Sequence, residues 1–277
     1  MAIPTRILGR TGQHVTMLGL GGEGVLRTFG QDKAAVALIN RALDLGITYC
    51  ESARAYSGSE AYYGKALRER RTEIFLTSKS HDRSKQGALA HLHETLRNMR
   101  TDHLDLWQVH DVREEEDIAG IFGPGGAIEA FVEAKEQGKT RFIGVTGHHD
   151  PSIIRKCIEL FDFDTVLMPV NPAEQQYRSF LEIVLPMARE KNMGIIGMKV
   201  YARGYASLLP WYTSMEPFLR FSLSQPVSCI VIGCDTISQL EQNVEFAGSF
   251  EPMTPEHQQA LIRDVSPFAR QLMYYKP

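Results

Sequence analysis

The stretch Ile47–Asp111, ITYCESARAYSGSEAYYGKALRERRTEIFLTSKSHDRSKQGALAHLHETLRNMRTDHLDLWQVHD, decides the fold. It contains three short β-rich runs, Thr48–Glu51, Ile74–Ser78 and Asp105–Val109, separated by longer segments of helical pattern. Strands alternating with helices are the signature of βαβ units that close a parallel sheet. Ionisable residues stand at the ends of the runs: Glu51 at the first, Lys79 after the second and His110 after the third.

Outward from this stretch the same alternation continues. One run precedes it, Met17–Leu20, and four follow, at Phe142–Thr146, Thr165–Met168, Gly194–Met198 and Cys229–Ile232. Eight strands predict a closed (β/α)8 TIM barrel rather than an open sheet. The 277 residues suit one such domain spanning 1–277, because the barrel needs roughly 250 residues. Helix signals agree: Asp32 precedes KAAVALINRALDLG, Ser84 precedes KQGALAHLHETLRNMR, and Asp150-Pro151 opens SIIRKCIELF. Gly46 and Gly138 stand where helices stop. RILGRTGQHV reads as a short N-terminal hairpin with a Thr-Gly turn, closing the bottom of the barrel and leaving the top for chemistry. PEHQQALIRDV is an extra C-terminal helix whose tail points to the substrate side. Gly120–Gly126 and Ala202–Ser214 are expected as loops over the mouth.

Composition narrows the function. Hydrophobic residues make up 43% and charged residues 23%, ordinary for a globular core. A net charge of −3, from 30 basic and 33 acidic side chains, offers no basic field for nucleic acid or anionic lipid, which favours a small-molecule substrate. The start MAIPTRILGR lacks the apolar core of a signal peptide, and no stretch has the roughly 18 apolar residues of a membrane span. A cytoplasmic protein is expected, with its oligomeric state left open. Cys50, Cys157, Cys229 and Cys234 form no C-x-x-C pair and read as reduced core thiols. His91 and His93 point to different helix faces, and His148 and His149 are adjacent, so no metal site is expected. LGLGGEG lacks the G-x-G-x-x-G spacing of a Rossmann fingerprint.

In a barrel of this kind the reacting groups come from the C-terminal ends of several strands. Glu51, Lys79 and His110 occupy such ends, and Tyr56 lies in the loop after Glu51. Singly they read as a surface acid, a loop aromatic, a solvated strand-end charge and a satisfied histidine. Together, on consecutive strands, they form a proton-donor site.

The run ITYCESARAYSGSEAYYGKAL, the lysine strand IFLTSKS, the histidine strand LDLWQVHD, the opening RILGRTGQHVTMLGLGG and the run FIGVTGHHDP resemble the aldo-keto reductase family, in the family's order and over nearly the whole chain. The resemblance implies an NAD(P)H-dependent oxidoreductase that reduces aldehydes or ketones to alcohols. In it Tyr56 gives the proton, Lys79 lowers the Tyr56 pKa, Glu51 holds Lys79, and His110 polarises the carbonyl. Glu51 departs from the family's usual Asp, which lengthens the side chain by one methylene.

The resemblance also implies cofactor contacts. Gly22 follows the first barrel strand; Thr146 and Gly147 stand near the family's carboxamide-binding Ser-Asn, and Asn171 is a candidate further amide contact with a turn residue as the alternative. Met198 replaces the aromatic that often stacks on nicotinamide, and Lys199, Arg203 and Gly204 suit the pyrophosphate or else a solvated loop. Gly233, Cys234 and Asp235 end the eighth strand at a phosphate-binding helix N-terminus, with Gln242 and Asn243 toward adenine. Gln239 stands where an Arg often grips the 2′-phosphate, and Asp235 repels it, so NADP(H) over NAD(H) rests on the family. The substrate itself is not legible; Phe29, Trp107, Tyr177, Trp211 and Tyr212 are candidate mouth aromatics, with Trp107 read as core. Two other readings stand beside the reductase. One is a Schiff-base lyase or isomerase using Lys79, which leaves Tyr56 and Glu51 unexplained. The other is a cofactor-binding regulatory subunit with a vestigial site, suggested by the altered acid; binding without turnover is its mark.

Overall fold

A computed structural model describes residues 2–277. Ten strands form: β1 (Thr5–Ile7), β2 (His14–Thr16), β3 (Leu18–Gly24), β4 (Tyr49–Glu51), β5 (Phe75–Ser80), β6 (Leu104–Val109), β7 (Thr140–Thr146), β8 (Thr165–Pro169), β9 (Gly194–Met198) and β10 (Cys229–Cys234). β1 and β2 pair antiparallel, and β3 to β10 close a parallel barrel in chain order. All eight expected barrel strands are present at their expected places.

Period-two alternation decides what faces the barrel axis. Tyr49, Phe75, Leu106, Leu167, Ile196, Cys229 and Val231 fill the interior, and Leu8 and Val15 from the hairpin region pack with them. The first barrel strand is cut down to make room: a Cβ on Gly19 would lie 2.8 Å from the Tyr49 ring. Counting by twos up the strands, Tyr49 leads to Glu51, Phe75 to Thr77 and Lys79, and Leu106 to Gln108 and His110. The apolar floor, the polar middle layer and the ionisable rim therefore arise from one periodicity. The larger core lies between the strands and the outer helices, where Trp107 stacks on Phe131 with ring centroids 3.7 Å apart.

The helix starts follow their caps. Ser84 Oγ accepts from Gly87 N (3.1 Å) to begin Lys85–Met99, and Asp150 Oδ1 accepts from Ser152 N (2.8 Å) to begin Pro151–Leu160. Asp32 is instead the first helical residue, since Gln31 holds the cap position. Gly12, Gly46 and Gly138 turn the chain in the left-handed region. The expected loop at Gly120–Gly126 begins as helix, because Glu115–Phe122 is helical and the turn starts at Gly123. The extra C-terminal helix spans Pro255–Val265. None of the helices among the described residues is long and apolar enough to cross a membrane.

Candidate active site

Glu51 is the last residue of β4, and Lys79 lies next to it on β5. The Lys79 ammonium is 3.0 Å from Glu51 Oε1, with side chains 1% and 5% exposed, and it donates to Ser52 O at 2.9 Å. The extra methylene of Glu51 thus still delivers a carboxylate oxygen to the lysine, while its Oε2 is buried without a hydrogen-bond partner.

The loop after β4 is stitched to β5: Ser52 N donates to Thr77 O at 2.9 Å and Arg54 N to Lys79 O at 3.1 Å. Glu60, from the Ser-Glu pair of the sequence motif, is buried. It accepts from Ser78 Oγ (2.9 Å), Thr95 Oγ1 (2.6 Å) and Arg54 Nη1 (2.9 Å), tying the loop to a strand and a helix at once. These bonds hold Tyr56 over the rim. Lys79 Nζ lies 4.8 Å and Arg27 Cζ 5.1 Å from its ring centroid. The His110 ring meets it edge-on at 5.7 Å and 84°. A Cβ on Gly22 would stand 2.5 Å from the Tyr56 ring, so Gly22 serves here by the side chain it lacks.

Burial controls the ionisation of this group. Desolvation lowers the Lys79 pKa despite the opposing pull of Glu51. Desolvation, then Lys79, holds His110 well below the ordinary histidine range, so its imidazole is neutral. Tyr56 departs from the expectation that Lys79 lowers its pKa. The residue is half-buried, and desolvation with the carboxylates of Glu51, Glu23 and Asp111 pushes its pKa well up, outweighing the opposing Arg27.

The β7–β10 side of the mouth is looser. Thr146, buried, ends β7, and Gly147 follows where a Cβ would press on Val112 O at 2.8 Å. Met198 ends β9 against the inner core. Lys199 and Arg203, both at positive φ, reach one carboxylate: Lys199 Nζ is 3.8 Å from Glu23 Oε1 and Arg203 Nη2 is 3.7 Å from Glu23 Oε2. Gly204 continues this left-handed turn with φ 89°. Gly233 packs so closely on β3 that a Cβ would lie 2.6 Å from Glu23 backbone atoms. Cys234 is buried, its thiol pushed up to about 12 by desolvation. Asp235 and Gln239 are exposed, and Asp235 N donates to Gln239 Oε1 at 2.8 Å.

Two asparagines are committed elsewhere. Asn171 donates to Lys199 O (3.2 Å) and Tyr275 Oη (2.9 Å) and accepts from Ala173 N (3.0 Å). Asn243 accepts from Tyr201 Oη at 2.8 Å and donates to Cys234 Sγ at 3.4 Å, whereas Gln242 is exposed. Their amides pin the fold: both Asn171 N–H groups are engaged, whereas Asn243 uses one N–H and one oxygen lone pair. The C-terminal tail does reach the mouth: Lys276 Nζ pairs with Glu174 Oε2 at 2.7 Å, Tyr275 Oη donates to Glu174 Oε1 at 2.7 Å, and the Tyr275 ring meets His148 edge-on at 5.8 Å. Among the mouth aromatics, Trp107 is core, while Phe29, Tyr177 and Trp211 are exposed.

Glu23, Arg27, Asp111 and His148 also line this region, and the sequence reading did not single them out for it. Asp111 had a signal, because it directly follows His110; His148 had none beyond its neighbour. Arg27 and Glu23 flank a glycine-rich strand end whose closeness to Tyr56 depends on barrel closure.

The chain resembles known proteins throughout. It is 25% identical to the uncharacterized oxidoreductase YqkF of Bacillus subtilis, across 92% of this chain and 94% of that protein. It is 29% identical to the aldo-keto reductase yakc [NADP(+)] of Schizosaccharomyces pombe, across 79% of this chain and 66% of that one. The holo form of aldo-keto reductase AKR11C1 from Bacillus halodurans superposes with a TM-score of 0.80 at 25% identity, covering 95% of this chain and 96% of that chain. The Aldo/keto reductase family model matches residues 17–222, and with the closed barrel and its charged rim this makes the chain a member of the aldo/keto reductase family.

Proposed function

We propose that the protein reduces aldehydes or ketones to alcohols with NADP(H), with Tyr56 as the proton donor. The observation that carries this reading is the buried Glu51–Lys79 pair lying beneath Tyr56 and beside His110. Tyr56, with its pKa raised, stays protonated at neutral pH and is present as an acid. As its proton moves to the carbonyl oxygen, the phenolate left behind faces the Lys79 ammonium, which is fixed in place and needs no reorganisation. Glu51 keeps that ammonium oriented. His110, neutral, retains one N–H to donate to the same carbonyl oxygen. A Schiff-base role for Lys79 is disfavoured because its nitrogen is enclosed and donates to two acceptors.

The cofactor fits the remaining features. Lys199 is largely enclosed, and the carboxylate it shares with Arg203 is beyond hydrogen-bond reach, so both cations can serve a phosphate. The helix Ile237–Gly248 presents its N-terminus behind Gly233, Cys234 and Asp235, and the absent Cβ of Gly233 lets that strand end pack directly on the Glu23 backbone. Gly22, Thr146, Gly147, Met198 and Gly204 complete the lining on which a nicotinamide would lie. Bound there, the cofactor supplies the hydride. NADP(H) is favoured over NAD(H) by the likeness to the S. pombe reductase; Gln239, exposed and uncharged, makes that preference modest.

The test is Tyr56→Phe. Carbonyl reduction should fall below about a tenth of wild type, as expected for loss of a positioned acid, while NADPH binding followed by tryptophan fluorescence stays intact. Retained steady-state turnover rules out the donor role, and retained binding with no turnover in the wild type favours the regulatory reading.

A further inference from the structure

The backbone that follows β9 is strained. Lys199, Ala202 and Arg203 have φ of 59°, 47° and 53°, in the left-handed region that is costly for a residue with a Cβ, and Gly204 follows at 89°. Such a backbone persists only where its surroundings hold it, and strain of this kind gathers at ligand clamps. Lys199 is also a cation that the proposed function gives to a cofactor phosphate. Its side chain is 12% exposed. Desolvation lowers its pKa against the pull of Glu23, so a bound anion favours the charged form.

Two hydrogen bonds fix the Lys199 carbonyl: it accepts from Ala202 N at 3.0 Å, within the turn, and from Asn171 Nδ2 at 3.2 Å. The second bond begins a chain that runs to the C-terminal tail. Asn171 Nδ2 also donates to Tyr275 Oη at 2.9 Å, Tyr275 Oη donates to Glu174 Oε1 at 2.7 Å, and Glu174 Oε2 accepts from Lys276 Nζ at 2.7 Å. Asn171 Oδ1 accepts from Ala173 N at 3.0 Å, so partners at both ends of the amide turn its nitrogen toward Lys199. The far end of the chain is anchored, because Lys276 Nζ donates to Tyr177 O and Arg178 O as well, each at 2.9 Å. The tail also meets the same loop from the side. The Tyr274 ring centroid lies 5.7 Å from Lys199 Nζ, and the ring packs edge-on against Tyr205 at 5.2 Å.

We propose that Tyr275 is a positioning residue for the cofactor: acting through Asn171, it holds the strained Lys199 backbone in the conformation that aims the ammonium into the anion site. This role rests on the cofactor reading and adds a residue to it. Without the Tyr275 hydroxyl the Asn171 amide loses the partner that fixes its rotamer, and the Lys199 carbonyl keeps only the bond within its own turn. The backbone is then free to relax toward negative φ, which redirects the Cβ and carries the ammonium away from the site. The tail therefore sets cofactor affinity as well as stability, and Asn171 serves the cofactor without touching it.

The experiment is a double-mutant cycle on NADPH dissociation constants, read by tryptophan fluorescence, with unfolding midpoints measured beside them. It uses the wild type, Tyr275→Phe, Lys199→Met and the double variant. Lys199→Met should weaken NADPH about tenfold, as expected for loss of a charge-assisted bond, and Tyr275→Phe about fivefold. In the Lys199→Met background Tyr275→Phe should cost less than about twofold, because the lysine it aims is gone. If Tyr275→Phe fails to fold, Asn171→Ala breaks the chain one link nearer Lys199 and takes its place in the cycle. A Tyr275→Phe variant that binds NADPH as the wild type does overturns the positioning role and leaves the cofactor reading standing. So does equal weakening in both backgrounds, the behaviour of a residue that only braces the fold. Unchanged affinity in Lys199→Met overturns the assignment of Lys199 to a phosphate, and the role of Tyr275 with it.

Discussion

On the β4–β6 side of the mouth, Lys79 meets Glu51 at 3.0 Å with both side chains enclosed; on the β9–β10 side, Lys199 and Arg203 stand 3.8 and 3.7 Å from the one carboxylate they share. The first side draws its partners from neighbouring strands, whose inward faces the sheet register fixes. Its lysine is held by acceptors that the protein itself supplies, Glu51 Oε1 and Ser52 O. The second side is made of backbone at positive φ and cations with slack, which the proposed function assigns to an anion. On the proposed reading, preorganisation for chemistry and readiness for a ligand are separated around a single ring of strands.

The largest test addresses what holds the looser side together. Glu174 and Lys276, fully enclosed, lock the C-terminal tail across it. Lys276→Met should cost about 3 kcal/mol of stability, because it strands a buried carboxylate, and urea unfolding measures the loss. Burial already raises the Glu174 pKa against the pull of Lys276, and removing Lys276 raises it further. A group raised in the folded state keeps its stability at low pH and loses it as pH rises through the folded value, so the deficit should be greatest at neutral pH and shrink toward pH about 5. A deficit that grows on acidification means that Glu174 is not the group left unpaired.

The next test addresses the tight side. Glu51→Gln should lower turnover about a hundredfold by leaving Lys79 unpaired, and Glu51→Asp should lower it less, because a retreated carboxylate still attracts the ammonium. NADPH affinity and the unfolding midpoint, measured beside turnover, separate a local effect from loss of fold. Turnover of the Gln variant at the wild-type level would remove Glu51 from the proposed machinery.

The smallest expected effect lies at the rim of the looser side. Gln239 is exposed beside Asp235, so Gln239→Arg should tighten NADPH about tenfold relative to NADH by offering a bidentate cation to the 2′-phosphate. Equal tightening of both, read by fluorescence titration, means that position 239 faces elsewhere.

The tight side was the legible one. Glu51, Lys79 and His110 each end an apolar run, and alternation within a strand is a property of local sequence; the structure brings them together with Tyr56 from the adjoining loop. The looser side was legible only in outline. Asn171 and Asn243 have the residue type of ligand contacts, yet their amides bond Tyr275, Lys199, Tyr201 and Cys234, partners from 9 to 104 residues away. Tyr56 carries the same lesson for electrostatics, since its shift depends on burial and on three carboxylates from separate segments.

By itself the sequence determined the number and order of strands, the helix caps at Ser84 and Asp150, the inward parity of each strand and the ionisable residues at their ends, because these depend on neighbours within a few positions. Only the tertiary structure decided which polar groups remain unpaired at the mouth, how the tail locks over it, and that Asp111 and His148 converge beside His110. Those outcomes depend on distances between chain segments remote in sequence, and they are set when the eighth strand closes on the first and fixes every loop relative to the others.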